Sequence, residues 1–243
     1  MATFDKDVQA LGLTQWDLLL STAWAPRVHI HDCEYRDNRA RGVLVKTHDA
    51  VIELCLYVQC TRGCPITLWL RRLSTRSHTR SHIRSHTRRF NHTTGPGVEV
   101  ITDGCYWFES GPVRNWTVRE CSFVGVNYAT AAQAGDVYLS ACVPDRITPG
   151  PPTQAGHAPA AGQVHEGVTV TGCTFIQDQG EAAVAVTNVA GLNVTGNVVA
   201  ASVAPTGGNF IAATSVGVTI TGNQCRVGNG ETTCRTGQDV ALS

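Results

Sequence analysis

The chain has 243 residues, with 19 Lys plus Arg against 19 Asp plus Glu and a formal net charge of zero. A neutral chain has no global pull toward nucleic acid or an anionic membrane, and it contains no run of 18 apolar residues long enough to span a bilayer. Charged residues make up only 16 % and glycines number 24, a balance typical of β-rich repeat proteins rather than helical domains.

Residues 1–26 read as a leader unlike the rest, with a candidate helix from Asp5 to Leu20 closed by Pro26. Met1-Ala-Thr-Phe-Asp-Lys-Asp7 lacks the basic-then-apolar pattern of a secretory signal, and Leu18-Leu-Leu20 is too short for its apolar region. The ten cysteines suit an oxidising compartment, but they do not cluster as a compact disulfide framework. The compartment therefore stays open. Glycosylation sequons at Asn91, Asn115 and Asn193 are expected by chance in a Thr-rich chain.

From Arg27 an eight-residue unit recurs: apolar-x-apolar-x-x-Cys/Asn-x-apolar. Its copies are Val28–Tyr35, Ala50–Tyr57, Trp116–Phe123, Val168–Phe175, Leu192–Val199 and Val218–Cys225. The Cys or Asn of each falls at 33, 55, 121, 173, 197 and 223, with gaps of 22, 66, 52, 24 and 26. These gaps are near whole multiples of about 22 to 26, and a fixed period with one short strand per copy marks a solenoid. The expectation is an all-β, right-handed parallel β-helix spanning 27–225, with 226–243 a polar tail. An antiparallel sandwich is the competing fold, but it has no need of one repeated unit. In a β-helix, like residues stack about 4.8 Å apart. The Asn amides are then expected to bond from coil to coil, with Cys33, Cys55, Cys121 and Cys173 filling the same niche as small apolar groups rather than metal ligands. Second strands are expected at Gly42–Val45, Val98–Ile101, Ala182–Val186 and Asn209–Ala212, and a projecting loop at 144–163.

Residues 60–95 do not follow the unit and are expected to form an irregular or disordered insertion. They hold a four-residue repeat, Arg76-Ser-His-Thr-Arg-Ser-His-Ile-Arg-Ser-His-Thr-Arg-Arg89. Cys60, Cys64, His78 and His82 come near the spacing of a zinc finger, yet a repeat with His at every fourth place supplies that match cheaply. A low-complexity interruption is the simpler reading.

Two stretches carry candidate chemistry. Tyr35-Arg-Asp-Asn-Arg-Ala-Arg-Gly-Val-Leu-Val45 brings Asp37, Arg39 and Arg41 ahead of a strand, where forked guanidinium donors suit sugar hydroxyls or a carboxylate. A solvated bend with internal ion pairs is the plain alternative. Val98–Asn115 starts as an alternating strand, then bends with Asp103, Trp107 and Glu109 together. Two acids beside a flat ring are the parts of a sugar site; a solvated turn with a Trp plug is the plain alternative here.

Together, Asn38-Arg-Ala-Arg-Gly42 and Asp103-Gly-Cys-Tyr-Trp-Phe-Glu-Ser-Gly111 resemble the bacterial α-1,3-galactosidases of glycoside hydrolase family 110. The resemblance covers roughly residues 27–59 and 96–125, with general β-helix similarity to 225; the family's members are much longer. It implies an exo-acting hydrolase without metal or other cofactor, removing terminal α-1,3-linked galactose with inversion. It also implies Asp103 as a catalytic acid, Trp107 as sugar platform, Glu109 in substrate positioning, and Arg39 and Arg41 as structural or binding residues, with Asp37 a candidate second acid. Thr102 stands where the family tends to carry another acid beside Asp103. The implied partner is a galactose-terminated carbohydrate; no nucleic acid or membrane partner is expected. A non-catalytic carbohydrate-binding or structural β-helix is the alternative function.

Overall fold

The computed structural model describes residues 27–37, 43–45, 49–58, 66–68, 83–86, 89–103, 113–126, 135–142, 163–178, 182–205 and 208–237. Among these, all regular structure is strand and there is no helix. Numbered in chain order, the strands fall into three sheets. The first sheet holds β1 (Arg27–His31), β4 (Asp49–Glu53), β7 (Ile83–His86), β10 (Arg114–Arg119), β13 (His165–Thr171), β16 (Val189–Thr195) and β19 (Thr219–Thr221). The second holds β2 (Glu34–Arg36), β5 (Leu56–Val58), β8 (Arg89–Asn91), β11 (Ser122–Val124), β14 (Thr174–Gln177), β17 (Val198–Ala201) and β20 (Gln224–Val227), with β21 (Gly230–Thr232) antiparallel at its edge. The third holds β3 (Val43–Val45), β6 (Ile66–Leu68), β9 (Val98–Asp103), β12 (Gly135–Cys142), β15 (Ala182–Thr187), β18 (Phe210–Ala213) and β22 (Thr236–Gly237).

Apart from β20 with β21, every pairing is parallel; from β1 to β17 each strand joins the one three places on, and β18 joins β22. The chain therefore visits the three sheets in turn. The registers superpose the recurring unit on itself: Val118 pairs with Val170, Val170 with Val194 and Val194 with Ile220. One apolar core runs through all three sheets, built from Val, Ile, Leu and aromatic residues at these repeated inward places. The last place of the unit makes a column of rings. Tyr35, Tyr57, Phe90, Phe123 and Phe175 stack nearly parallel, with centroids 4.7 to 5.2 Å apart. Val199 and Cys225 continue the column in register.

The corner between the first and second sheets shows why the sixth place of the unit is Cys or Asn. The residue before each takes a left-handed conformation: Asp32, Leu54, Glu120, Gly172, Gly196 and Gly222, with φ from 52° to 65°. That bend turns the chain sharply, and the next residue aims at the neighbouring corner. Asn197 and Asn223 bond as anticipated: Asn197 Oδ1 accepts the Cys173 N–H and Asn223 Oδ1 the Asn197 N–H, both at 2.9 Å. Cys55, Cys121 and Cys173 are buried free thiols in the same row, with Cys33 partly buried.

Two expectations are corrected. The stretch 60–95 does not stand wholly outside the pattern; its described residues add β6, β7 and β8, one strand to each sheet. Ile83 pairs with Trp116, Ser85 with Val118 and Phe90 with Phe123, so Ile83–Phe90 is a further copy of the unit. Polar Ser85 stands where the others carry Val or Ile, which hid it. The 66 residues from Cys55 to Cys121 accordingly hold two passes, and the 52 from Cys121 to Cys173 hold one, since β10 pairs directly with β13. Residues 226–237, expected as tail, also carry strand, and Cys234 is joined to Cys225 by a disulfide. The candidate helix at 5–20, all but the last residue of the expected loop at 144–163, and the four zinc-finger candidates Cys60, Cys64, His78 and His82 lie outside the described residues.

Candidate functional site

Asp103 is the last residue of β9, at the edge where the chain leaves the third sheet. Its backbone is held in register beside Cys142, and Ile101 beside Ser140, by pairing with β12. Alternation along β9 sends Val98 and Val100 into the core and leaves Glu99 on the opposite face. That outer face is covered too: Glu99 is only 3 % exposed, and its neighbour in register, Tyr138, packs with Ala182, Ala185 and Ile211 in a second small apolar cluster. Residues 104–112, with Trp107 and Glu109, lie outside the described residues. The chain returns at Val113, which is fully buried.

Asp37 follows β2, exposed and in a left-handed conformation with φ 50°, its N–H donating to the Val58 carbonyl at 3.1 Å. It stands where the chain crosses from the second sheet toward the third, two passes before Asp103. Asp103 stands where the chain leaves the third sheet for the first. The two carboxylate-bearing residues are thus at opposite ends of the third sheet's strands and are not brought together. A strand the length of β9 spans roughly 16 Å, beyond the separation of about 6.5–9.5 Å that an inverting pair of acids needs. Arg39 and Arg41 lie outside the described residues.

The residue that sequence reasoning missed is His165, at the start of β13 and 1 % exposed. Its Nδ1 accepts the Val113 N–H at 3.2 Å, and its Nε2 lies 3.3 Å from the Ser140 carbonyl. A carbonyl can only receive a proton and an amide can only give one, so the ring is neutral and protonated at Nε2. Burial pushes its pKa down from 6.5 to about 4. The only sequence signal was a His just ahead of a repeat unit, no different from a core histidine.

Gln177 donates to Asp136 Oδ2 at 3.1 Å, both fully buried. The Cys173 thiol is pushed well up by its hydrogen bond with Cys121 and by burial, and Cys55 is raised by burial. Thiols held protonated in this way are poor nucleophiles and poor metal ligands. Among the described residues no group of three or more His, Cys, Asp or Glu is placed to hold a metal ion.

No family model matches the chain. It is 27 % identical over 168 residues, 68 % of its own length, to alpha-1,3-galactosidase A of Akkermansia muciniphila. That match covers 19 % of the galactosidase, so the chain spans about a fifth of its relative's length. The similarity places the chain in a distant relationship to a glycoside hydrolase.

Proposed function

We propose that this chain is the carbohydrate-acting part of a right-handed parallel β-helix glycosidase, of the kind grouped in glycoside hydrolase family 110, and that it removes terminal α-1,3-linked galactose with inversion. The observation that carries the reading is the similarity to a protein named an alpha-1,3-galactosidase. The strand-end position of Asp103 supports it, and the three-sheet parallel topology is what a β-helix requires.

In this reading Asp103 transfers a proton at the glycosidic oxygen or the attacking water. Trp107 offers its ring to the apolar face of the sugar, and Glu109 accepts from sugar hydroxyls. Asp37, Arg39 and Arg41 belong to the segment entering the third sheet, so their proposed contacts are with more remote parts of the glycan. The acid that completes the inverting pair comes from another part of the chain than Asp37. The domain reading that goes with it is a leader at 1–26 and a β-helix from 27 onward.

The test is release of galactose from an α-1,3-galactosyl disaccharide, with the product anomer followed by NMR. Inversion yields β-galactose first. Asp103→Asn is expected to lower kcat by about 10²-fold or more with binding retained, and Trp107→Ala to weaken binding. Binding without turnover in the parent chain favours the non-catalytic carbohydrate-binding reading; neither binding nor turnover removes both.

A further inference from the structure

Resting on that reading of Asp103, we infer that His165 is a positioning residue: one imidazole ties the point where the Asp103–Val113 segment re-enters the fold to the strand beside β9.

The geometry is closed on both sides. Val113 is gripped at its N–H by His165 Nδ1, 3.2 Å away, and at its carbonyl by the Glu166 N–H, 2.8 Å away. The other nitrogen of the same ring reaches the Ser140 carbonyl in β12. Ser140 pairs with Ile101 and Cys142 with Asp103, so the ring contacts the strand that aligns the acid. The segment bearing Trp107 and Glu109 has two ends, Asp103 and Val113, and His165 links the second to the framework of the first. The link crosses from the first sheet to the third, so no single sheet's hydrogen bonds could replace it. A buried neutral imidazole costs desolvation that an apolar side chain of similar size would not. A role in core filling alone therefore does not account for it.

Three variants of the whole chain separate a clamp from packing. In His165→Asn, Oδ1 can stand in for Nδ1 and accept from Val113, but the side chain does not reach Ser140. His165→Phe keeps the shape and loses both bonds. His165→Gln reaches toward Ser140 and forfeits the Val113 contact. Hydrogen exchange at the Val113 amide is expected to rise about tenfold or more in the Phe and Gln variants and to stay near the parent rate in Asn. Turnover should follow the same order: a fall of roughly 10²-fold in Phe, with KM little changed, and partial rescue in Asn, because displacement by about 1 Å is enough to lose that much rate. Nitrogen NMR of the parent should show the Nε2-protonated ring. The inference is overturned by an Nδ1-protonated ring, by unchanged Val113 exchange in a folded Phe or Gln variant, or by equal kcat in Phe, Asn and parent. Should Phe fail to fold, the Asn and Gln variants and the ring nitrogens decide. A parent chain without any galactose release ends the hydrolase reading and the positioning role with it; the exchange data then judge the clamp separately.

Discussion

Asn223 Oδ1 accepts two hydrogen bonds from Asn197, one from its backbone N–H and one from its side-chain Nδ2, each at 2.9 Å. Asn197 Nδ2 also donates to the Val170 carbonyl at 3.1 Å, and Asn223 Nδ2 to Val194 at 2.9 Å. Each amide thus satisfies backbone groups of the preceding pass that a tight corner leaves without a ladder partner. Asn197→Leu removes both Nδ2 donations and the bond that Asn197 Oδ1 accepts from the Cys173 N–H, and is expected to cost about 2–4 kcal/mol. Asn197→Cys, copying the preceding corner, should cost less. Urea denaturation midpoints of the two variants test the ranking.

Leu54 and Glu120 occupy the left-handed place that Gly172, Gly196 and Gly222 fill in later passes. A side chain costs roughly 1–2 kcal/mol in that conformation, while glycine has no such clash but loses more entropy on folding. Leu54→Gly is expected to raise stability by up to about 1 kcal/mol, Leu54 being exposed, and Gly196→Val to lower it by more. Thermal melts would show the opposite signs.

Phe123 sits between Phe90 and Phe175 in the ring column, with no exposed surface. Phe123→Ala should cost about 3–5 kcal/mol and break the column in two. Phe123→Tyr, matching Tyr57 two strands back in the column, should cost less. Denaturant unfolding followed by near-ultraviolet circular dichroism reports both.

The His165 ring stays neutral when folded down to about pH 4, whereas an unfolded chain protonates it near 6.5. Its stabilising neutral form is fully populated above pH 6.5, and stability falls as pH drops from there toward 4. The loss approaches about 3 kcal/mol. His165→Asn should flatten that part of the profile, measured as unfolding free energy against pH beside the parent.

The Cys225–Cys234 bond closes a short loop that carries β21. By loop-closure entropy, reduction should cost about 2–3 kcal/mol at that end of the sheets. The effect is expected in hydrogen exchange of 224–237 and to be small at Phe123.

The repeated unit was legible wherever two apolar residues and a Cys or Asn stood in register, because stacked parallel strands demand like residues at like places. It failed at Ile83–Phe90, where Ser85 took an apolar place and a His-rich repeat drew attention. The gap of 66 residues then invited division by the wrong number, since a pass is defined by pairing and not by length. Cys225 reads as the last residue of its repeat unit, and nothing in spacing announces a disulfide partner. Asp103 was legible as a strand-end acid from alternation in Val98–Ile101. Its relation to Asp37 was not, because the end of a sheet a residue occupies depends on where each strand begins and stops. His165 gave no pattern at all: its meaning lies in two backbone groups far away in sequence, at Val113 and Ser140.

The pairing of β10 with β13 carries an evolutionary consequence. Passes of very different length each occupy one step of the same sheet, so residues added between strands leave the spacing of the steps unchanged. Lineages can then trade whole excursions at the corners, remodelling what the flank grips while the inner columns of valine and phenylalanine descend unaltered.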